Sequence, residues 1–154
     1  MAKLTKRERQ ILTYLAQGYV DKETSGRLGI SVPTLRTTIR TRLLPKLNAR
    51  SRAHAVALFL TNGQLPSPAS EERQDRDGHP LSRRERQVVL LCAHGLSDSE
   101  IADELGLSVN CVRSTYWVRA RSKLRAKSRV HAVALLLRQF SSPAEDGASA
   151  PQSN

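Results

Sequence analysis

The chain has 154 residues, a formal charge of +11 and a pI of about 10.6, a balance that implies a polyanionic partner, nucleic acid first. Aromatic residues are only 4% of it, which excludes the multi-base stacking platforms of many single-strand and RNA binders. It has no long apolar run, no apolar signal-peptide centre and no lipidation motif, and Cys92 and Cys111 are too few for a zinc site or a disulfide framework, so the reading is of a cytoplasmic protein with no membrane partner, metal or cofactor.

In chain order, Thr5 is placed to cap a first helix, with Glu8 completing a capping box, Ile11, Leu12 and Leu15 as the buried stripe, and Gly18 as the stop. A short second helix ends at the Leu28-Gly29 turn. Ser31 opens a third helix carrying Leu35, Ile39, Leu43 and Leu47 inward, which Pro45 is expected to end or kink because it lacks an amide donor. Ser51 caps a fourth helix running to about Leu60. The same series then returns: Ser82 with Glu85, the stripe Val88, Val89 and Cys92, and Gly95. A second helix over Asp98 to Leu105 follows, capped by Ser97 with Glu100 and burying Ile101, Ala102 and Leu105. Next come Gly106, a third helix from Ser108 with Val112, Tyr116, Ala120 and Leu124 inward, and a fourth from Ser128 to about Leu137.

This is an internal repeat. Leu4 to Leu60 aligns with Leu81 to Leu137 at a constant offset of 77 residues without a gap, with 27 identities over 57 positions. Two copies are too few for a solenoid, so each is expected to be a small domain. The expected layout is a first domain over 1–62, a flexible linker over 63–80, a second domain over 81–140 and a disordered tail over 141–154. Residues 3–62 carry 12 basic and 3 acidic side chains, and residues 81–140 carry 11 and 5. The positive charge therefore belongs to the domains and not to a basic arm.

Four short helices with a glycine between the second and third describe a helix-turn-helix unit, in which the third helix enters the major groove. The fold class is thus all-α: two four-helix helix-turn-helix domains joined by a linker. On the outer face of the third helix stand Pro33, Arg36, Thr37, Arg40 and Thr41, and in the second copy Asn110, Arg113, Ser114, Trp117 and Arg121. Arginine can bond bidentately to the two acceptors of guanine, and hydroxyl side chains reach phosphates or base edges. No helix gathers a nucleophile, a base and an orienting group, and there is no phosphate loop, so an enzyme is not expected.

At these residues the chain resembles the LuxR-type, or GerE-type, helix-turn-helix domain of bacterial transcription regulators. The resemblance rests on Leu4-Thr5-Lys6-Arg7-Glu8, Gly18, Leu28-Gly29-Ile30-Ser31, Lys46-Leu47 and Ser51 to Val56. It is fuller in the second copy through Leu81 to Glu85, Gly95-Leu96-Ser97, Glu100-Ile101-Ala102, Leu105 to Ser108, Lys123-Leu124 and Ser128 to Val133. It implies a bacterial or phage-encoded transcription regulator, base readout by Arg36, Thr37, Arg40, Arg113, Ser114 and Trp117, and pairing of domains through the fourth helix; for Trp117 packing against a neighbouring domain is the alternative to a thymine methyl or sugar contact. Phosphate contacts are expected from Thr34, Lys46, Arg50, Ser51, Arg52, Asn110, Arg121, Lys123, Lys127, Ser128 and Arg129. Pairing is expected from Ala53, Val56, Ala57, Leu60, Val130, Val133, Ala134 and Leu137.

Two departures from the family pattern set further expectations. Thr34 to Leu47, and Cys111 to Leu124, hold fourteen residues where the family usually has thirteen. One added residue rotates whatever follows by about 100° unless a bulge absorbs it. Thr24, Ser25 and Gly26 replace Ile101, Ala102 and Asp103, so the first copy is expected to be the less stable. The linker, of about 18 residues with a root-mean-square span of 20 to 25 Å, permits a homodimer or pairing within one chain. The expected function is sequence-specific binding of double-stranded DNA on two half-sites, with RNA polymerase as a further partner. The competing reading is an interaction protein that binds the polymerase or a related regulator through its fourth helices.

Overall fold

The computed structural model describes residues 3–66 and 80–149, with side chains as far as residue 139. Among the described residues there are eight helices and no strand. The first copy contributes α1 (Lys6–Ala16), α2 (Asp21–Leu28), α3 (residues 32–47) and α4 (Arg52–Thr61), and the second α5 (Arg83–Ala93), α6 (Asp98–Leu105), α7 (residues 109–124) and α8 (Arg129–Ser149).

The caps are where the sequence puts them. Thr5 and Glu8, Ser82 and Glu85, and Ser97 and Glu100 form complete capping boxes, and Ser31, Ser51, Ser108 and Ser128 each accept a bond from a backbone amide three residues on. Gly29 and Gly106, at φ 67° and 66°, close α2 and α6 in the left-handed region and turn the chain into the third helix.

The added residue in each third helix is absorbed as a π turn, at a different place in each copy. In α3 it spans Ile39–Leu43, with the Leu44 amide bonding the Ile39 carbonyl; in α7 it spans Val112–Tyr116, with the Trp117 amide bonding the Val112 carbonyl. Pro45 therefore neither ends nor breaks α3. It stands second in the Leu44–Leu47 segment, where the π turn already interrupts the regular ladder. The earlier turn in α7 changes which side chains face inward. The expected stripe Val112, Tyr116, Ala120 and Leu124 is corrected to Val112, Trp117 and Ala120, with Tyr116 and Leu124 only half-buried.

Each copy builds its own core, and the fourth helices join the two. Ala53 and Ala57 of α4 pack into the core of the second copy, while Ala134 of α8, with Val130 beside it, packs into that of the first. Ala53 and Ala57 correspond to Val130 and Ala134 at the repeat offset, so the contact is reciprocal, as about a two-fold axis. Val56, Val133 and Leu137 are buried within their own copies, and Leu60 is half-buried against the first core. The same reciprocity places His131 over Gly18 and His54 over Gly95. A Cβ on either glycine would lie 2.6 Å from the imidazole Nδ1, and both glycines have strongly positive φ, 90° and 94°.

Of the expected linker, Leu65 packs against the second core, and the Pro66 carbonyl lies 2.7 Å from His94 Nε2; residues 67–79 lie outside the described residues. Past the expected end of the fourth helix near Leu137, α8 runs on to Ser149, through most of the segment read as a tail. Residues 150–154 lie outside the described residues.

Candidate nucleic-acid interface

The second helix starts with an acid in both copies, and that acid organises the face of the third helix. Asp21, the first residue of α2, accepts from Arg36 Nε at 2.9 Å and from both terminal nitrogens of Arg52. Asp98, the first residue of α6, accepts from Arg113 Nε at 2.9 Å, from Arg129 at 2.7 Å and from the Trp117 indole at 3.3 Å. The Arg52 hydrogen bond, opposed by burial and helped by Arg36, holds the Asp21 carboxyl below the usual carboxylate range. On Asp98 burial, which raises the pKa, is the largest single influence, but Arg129 and Arg113 together outweigh it and its pKa is also lowered.

Arg36 and Arg113 remain 65% and 64% exposed. Ion pairs so open to water contribute about 0 to 1 kcal/mol to stability. Their effect is to orient the arginines: each is tethered through Nε on the outer face of its helix. Beside them Thr37, Arg40 and Ser114 are exposed, as are Thr34, Asn110 and Arg121. The Ser114 hydroxyl donates to the Asn110 carbonyl at 2.6 Å, and the Thr34 hydroxyl accepts from Ser31 at 2.8 Å. Arg42 and Arg119, which were not singled out from the sequence, share this exposed, basic region.

Trp117 does not join them. Its side chain is 2% exposed, it belongs to the second core, and the Arg129 guanidinium lies 4.7 Å from its ring centroid. The expectation that it reads bases is corrected, because the π turn rotates position 117 inward.

Several expected phosphate ligands already have partners inside the protein. Lys46 and Lys123 hold the carboxylates of Glu8 and Glu85 at 2.9 to 3.0 Å, tying the end of each third helix to the start of the first. Burial opposes charge on both Glu8 and Glu85, yet the Thr5 amide and Lys46 lower the pKa of the first, and Lys123 and the Ser82 amide that of the second. Ser51 and Ser128 cap α4 and α8. Arg121 donates to the Lys127 carbonyl at 2.9 Å.

Arg50 and Lys127 face the other copy. Arg50 makes a two-pronged pair with Glu100 at 2.9 and 3.1 Å, which with the Ser97 amide takes the glutamate pKa down to about 2. Lys127 sits 5.7 Å from the Tyr19 ring centroid.

Both copies match the family of bacterial regulatory proteins called luxR, over residues 2–59 and 79–136. The chain belongs to the luxR family. Its members are DNA-binding transcription regulators and not enzymes. The luxR-family chain is 27% identical over 110 residues to the transcriptional regulatory protein DesR of Bacillus subtilis (strain 168), covering 71% of this chain and 55% of that one. It is 49% identical over 57 residues to the nitrate/nitrite response regulator protein NarP of Escherichia coli (strain K12), covering 37% and 26%. With the uncharacterized transcriptional regulatory protein YxjL of Bacillus subtilis (strain 168) it shares 27% over 108 residues, 68% of this chain and 49% of the relative. The chain thus spans about half or less of the length of these relatives. No solved structure matches it.

Proposed function

We propose that this chain is a sequence-specific regulator that binds double-stranded DNA through both third helices at once, as a paired unit built from a single chain. The observation that carries this reading is the duplicated arrangement of Asp21 with Arg36 and Asp98 with Arg113, on two helices whose domains are locked by reciprocal fourth-helix contacts. A symmetric regulator obtains two half-site readers by dimerising; here the second reader comes on the same polypeptide, so its effective concentration does not depend on dilution.

Base readout is assigned to Arg36, Thr37 and Arg40 in the first half-site and to Arg113 and Ser114 in the second. Thr34, Arg42, Arg52, Asn110, Arg119, Arg121 and Arg129 are the phosphate candidates. Because the two faces differ, the preferred site has two unlike halves. Among the described residues no helix is long and apolar enough to cross a membrane, and the site of action proposed is the DNA of a bacterial cytoplasm. RNA polymerase is the further partner proposed at the promoter. The competing reading needs fourth-helix surface that the opposite copy already covers.

Selection of bound duplexes from random DNA, followed by titration, tests the proposal. Arg36→Ala with Arg40→Ala, and separately Arg113→Ala, are expected to lower affinity for the selected site, each relaxing sequence preference in one half only. Affinity should also fall by about 10³ or more between low and moderate salt if six to ten phosphates are engaged. Unchanged affinity in either variant would overturn it.

A further inference from the structure

Val118 is 58% exposed, one of two large apolar side chains left in solvent among the described residues. Its position follows from the shifted π turn. In α3 the buried pair Leu35 and Ile39 is four residues apart, and exposed Arg36 is followed four residues on by exposed Arg40. In α7 the buried pair is Val112 and Trp117, five apart, because the π turn lies between them. The residue one turn beyond Arg113 on the outer face is therefore Val118, which takes the place that Arg40 holds in the first copy. Counting along the repeat would have put Trp117 there.

We propose that Val118 is a specificity-determining residue of the second recognition helix, packing its isopropyl group on the 5-methyl of a thymine in the major groove; this rests on the DNA-binding reading above. Valine has no donor or acceptor to offer a base edge, and of the four bases only thymine presents a methyl group there. At the corresponding place in the other half-site, Arg40 matches the paired acceptors of guanine. This side chain stands outside the core, while the neighbouring indole fills it.

Replacing each thymine of the selected duplex in turn by deoxyuridine deletes that methyl group and nothing else. In the full chain one replacement, in the half-site of the second copy, is expected to weaken binding by about fourfold, the effect of one buried methyl. In Val118→Ala, which removes both γ-methyl groups, the same replacement should have a clearly smaller effect, and Val118→Arg should move the preferred base at that position from thymine to guanine. If the unaltered chain and Val118→Ala respond alike to every uracil while still binding the site, the assignment of Val118 is wrong and the DNA reading stands. If the unaltered chain binds no duplex at modest ionic strength, both fall.

Discussion

The second helices of the two copies occupy the same place with very different support. α6 starts at Ser97 in a complete capping box and buries Ile101 and Ala102. α2 starts at Val20, which makes no side-chain cap and is 53% exposed. Where Ile101 stands, α2 has Thr24, fully buried, with a hydroxyl that finds no hydrogen-bond partner. Gly26 adds helix-propensity cost on an exposed position. The first copy has its own compensation, with Arg27 stacked 4.5 Å from the Tyr19 centroid and Tyr14 edge-on to Tyr19. The third helices differ in the reverse sense: α3 keeps its polar face intact, whereas α7 has turned an indole inward and a valine outward. A duplicated scaffold lets the support of the second helix and the outer face of the third diverge separately, because the fourth-helix contacts join the two copies.

The largest effect should come from the side chain that most distinguishes α7 from α3. Trp117→Ala removes a buried indole together with its bond to Asp98, and is expected to destabilise the second copy by about 3 to 5 kcal/mol in denaturant unfolding. Arg40→Ala at the matching position should leave unfolding within about 0.5 kcal/mol of the parent. Equal effects would mean that the two π turns do not differ as described.

Next is the close approach that joins the copies. Gly95→Ala forces a Cβ against His54 and strains a positive φ, with an expected loss of about 2 kcal/mol. Adding His54→Ala should recover the clash but not the backbone strain. A double-mutant cycle showing no coupling between residues 54 and 95 would separate the domains.

Smaller gains are expected where the first copy is weak. Thr24→Val keeps the volume and deletes the unpaired hydroxyl, which should raise the stability of the first copy by about 1 to 2 kcal/mol; Gly26→Ala, which meets no atom within 4 Å, should add about 0.5 to 1 kcal/mol. The corresponding change Asp103→Ala in the second copy should do little. Thermal unfolding measures all three.

The smallest effect is with pH. His54 and His131 accept backbone amides of Arg50 and Lys127 at Nδ1. Burial lowers both pKa values, helped at His54 by His94 and Arg50 and at His131 by Lys127 and Arg138. Since the folded values lie below the unfolded one, this stability is fully present above about pH 6.5 and is lost as pH falls through the lowered folded values. His54→Gln with His131→Gln should flatten unfolding free energy between pH 7 and 5. The carboxylates Asp21, Asp98, Glu8 and Glu85 are also lowered and should weaken the fold only at more acid pH.

Helix order, caps and the repeat were readable from the sequence because each depends on short-range chemistry: Ser97 three residues before Glu100, or Gly106 after Leu105. The resemblance then supplied the fourth-helix pairing. The inward turn of Trp117 was not readable, since a fourteen-residue segment accommodates a π turn at either of two places and the choice goes with burial of the indole in the second core, a tertiary effect with no local pattern. A signal was nevertheless present, in that a tryptophan on a solvent face is costly where Arg40 stands in the other copy. The partners of Lys46 and Lys123 were also missed. Both lysines meet capping-box glutamates 38 residues away, a pairing that no local pattern announces.

The most direct test is the mass of the complex formed with a duplex carrying both selected half-sites, followed by dilution of the protein. One chain per duplex, with affinity independent of the concentration at which the protein was stored, is the predicted result. Two chains per duplex, or a binding curve that steepens through prior dimerisation, would contradict a reader made from one polypeptide.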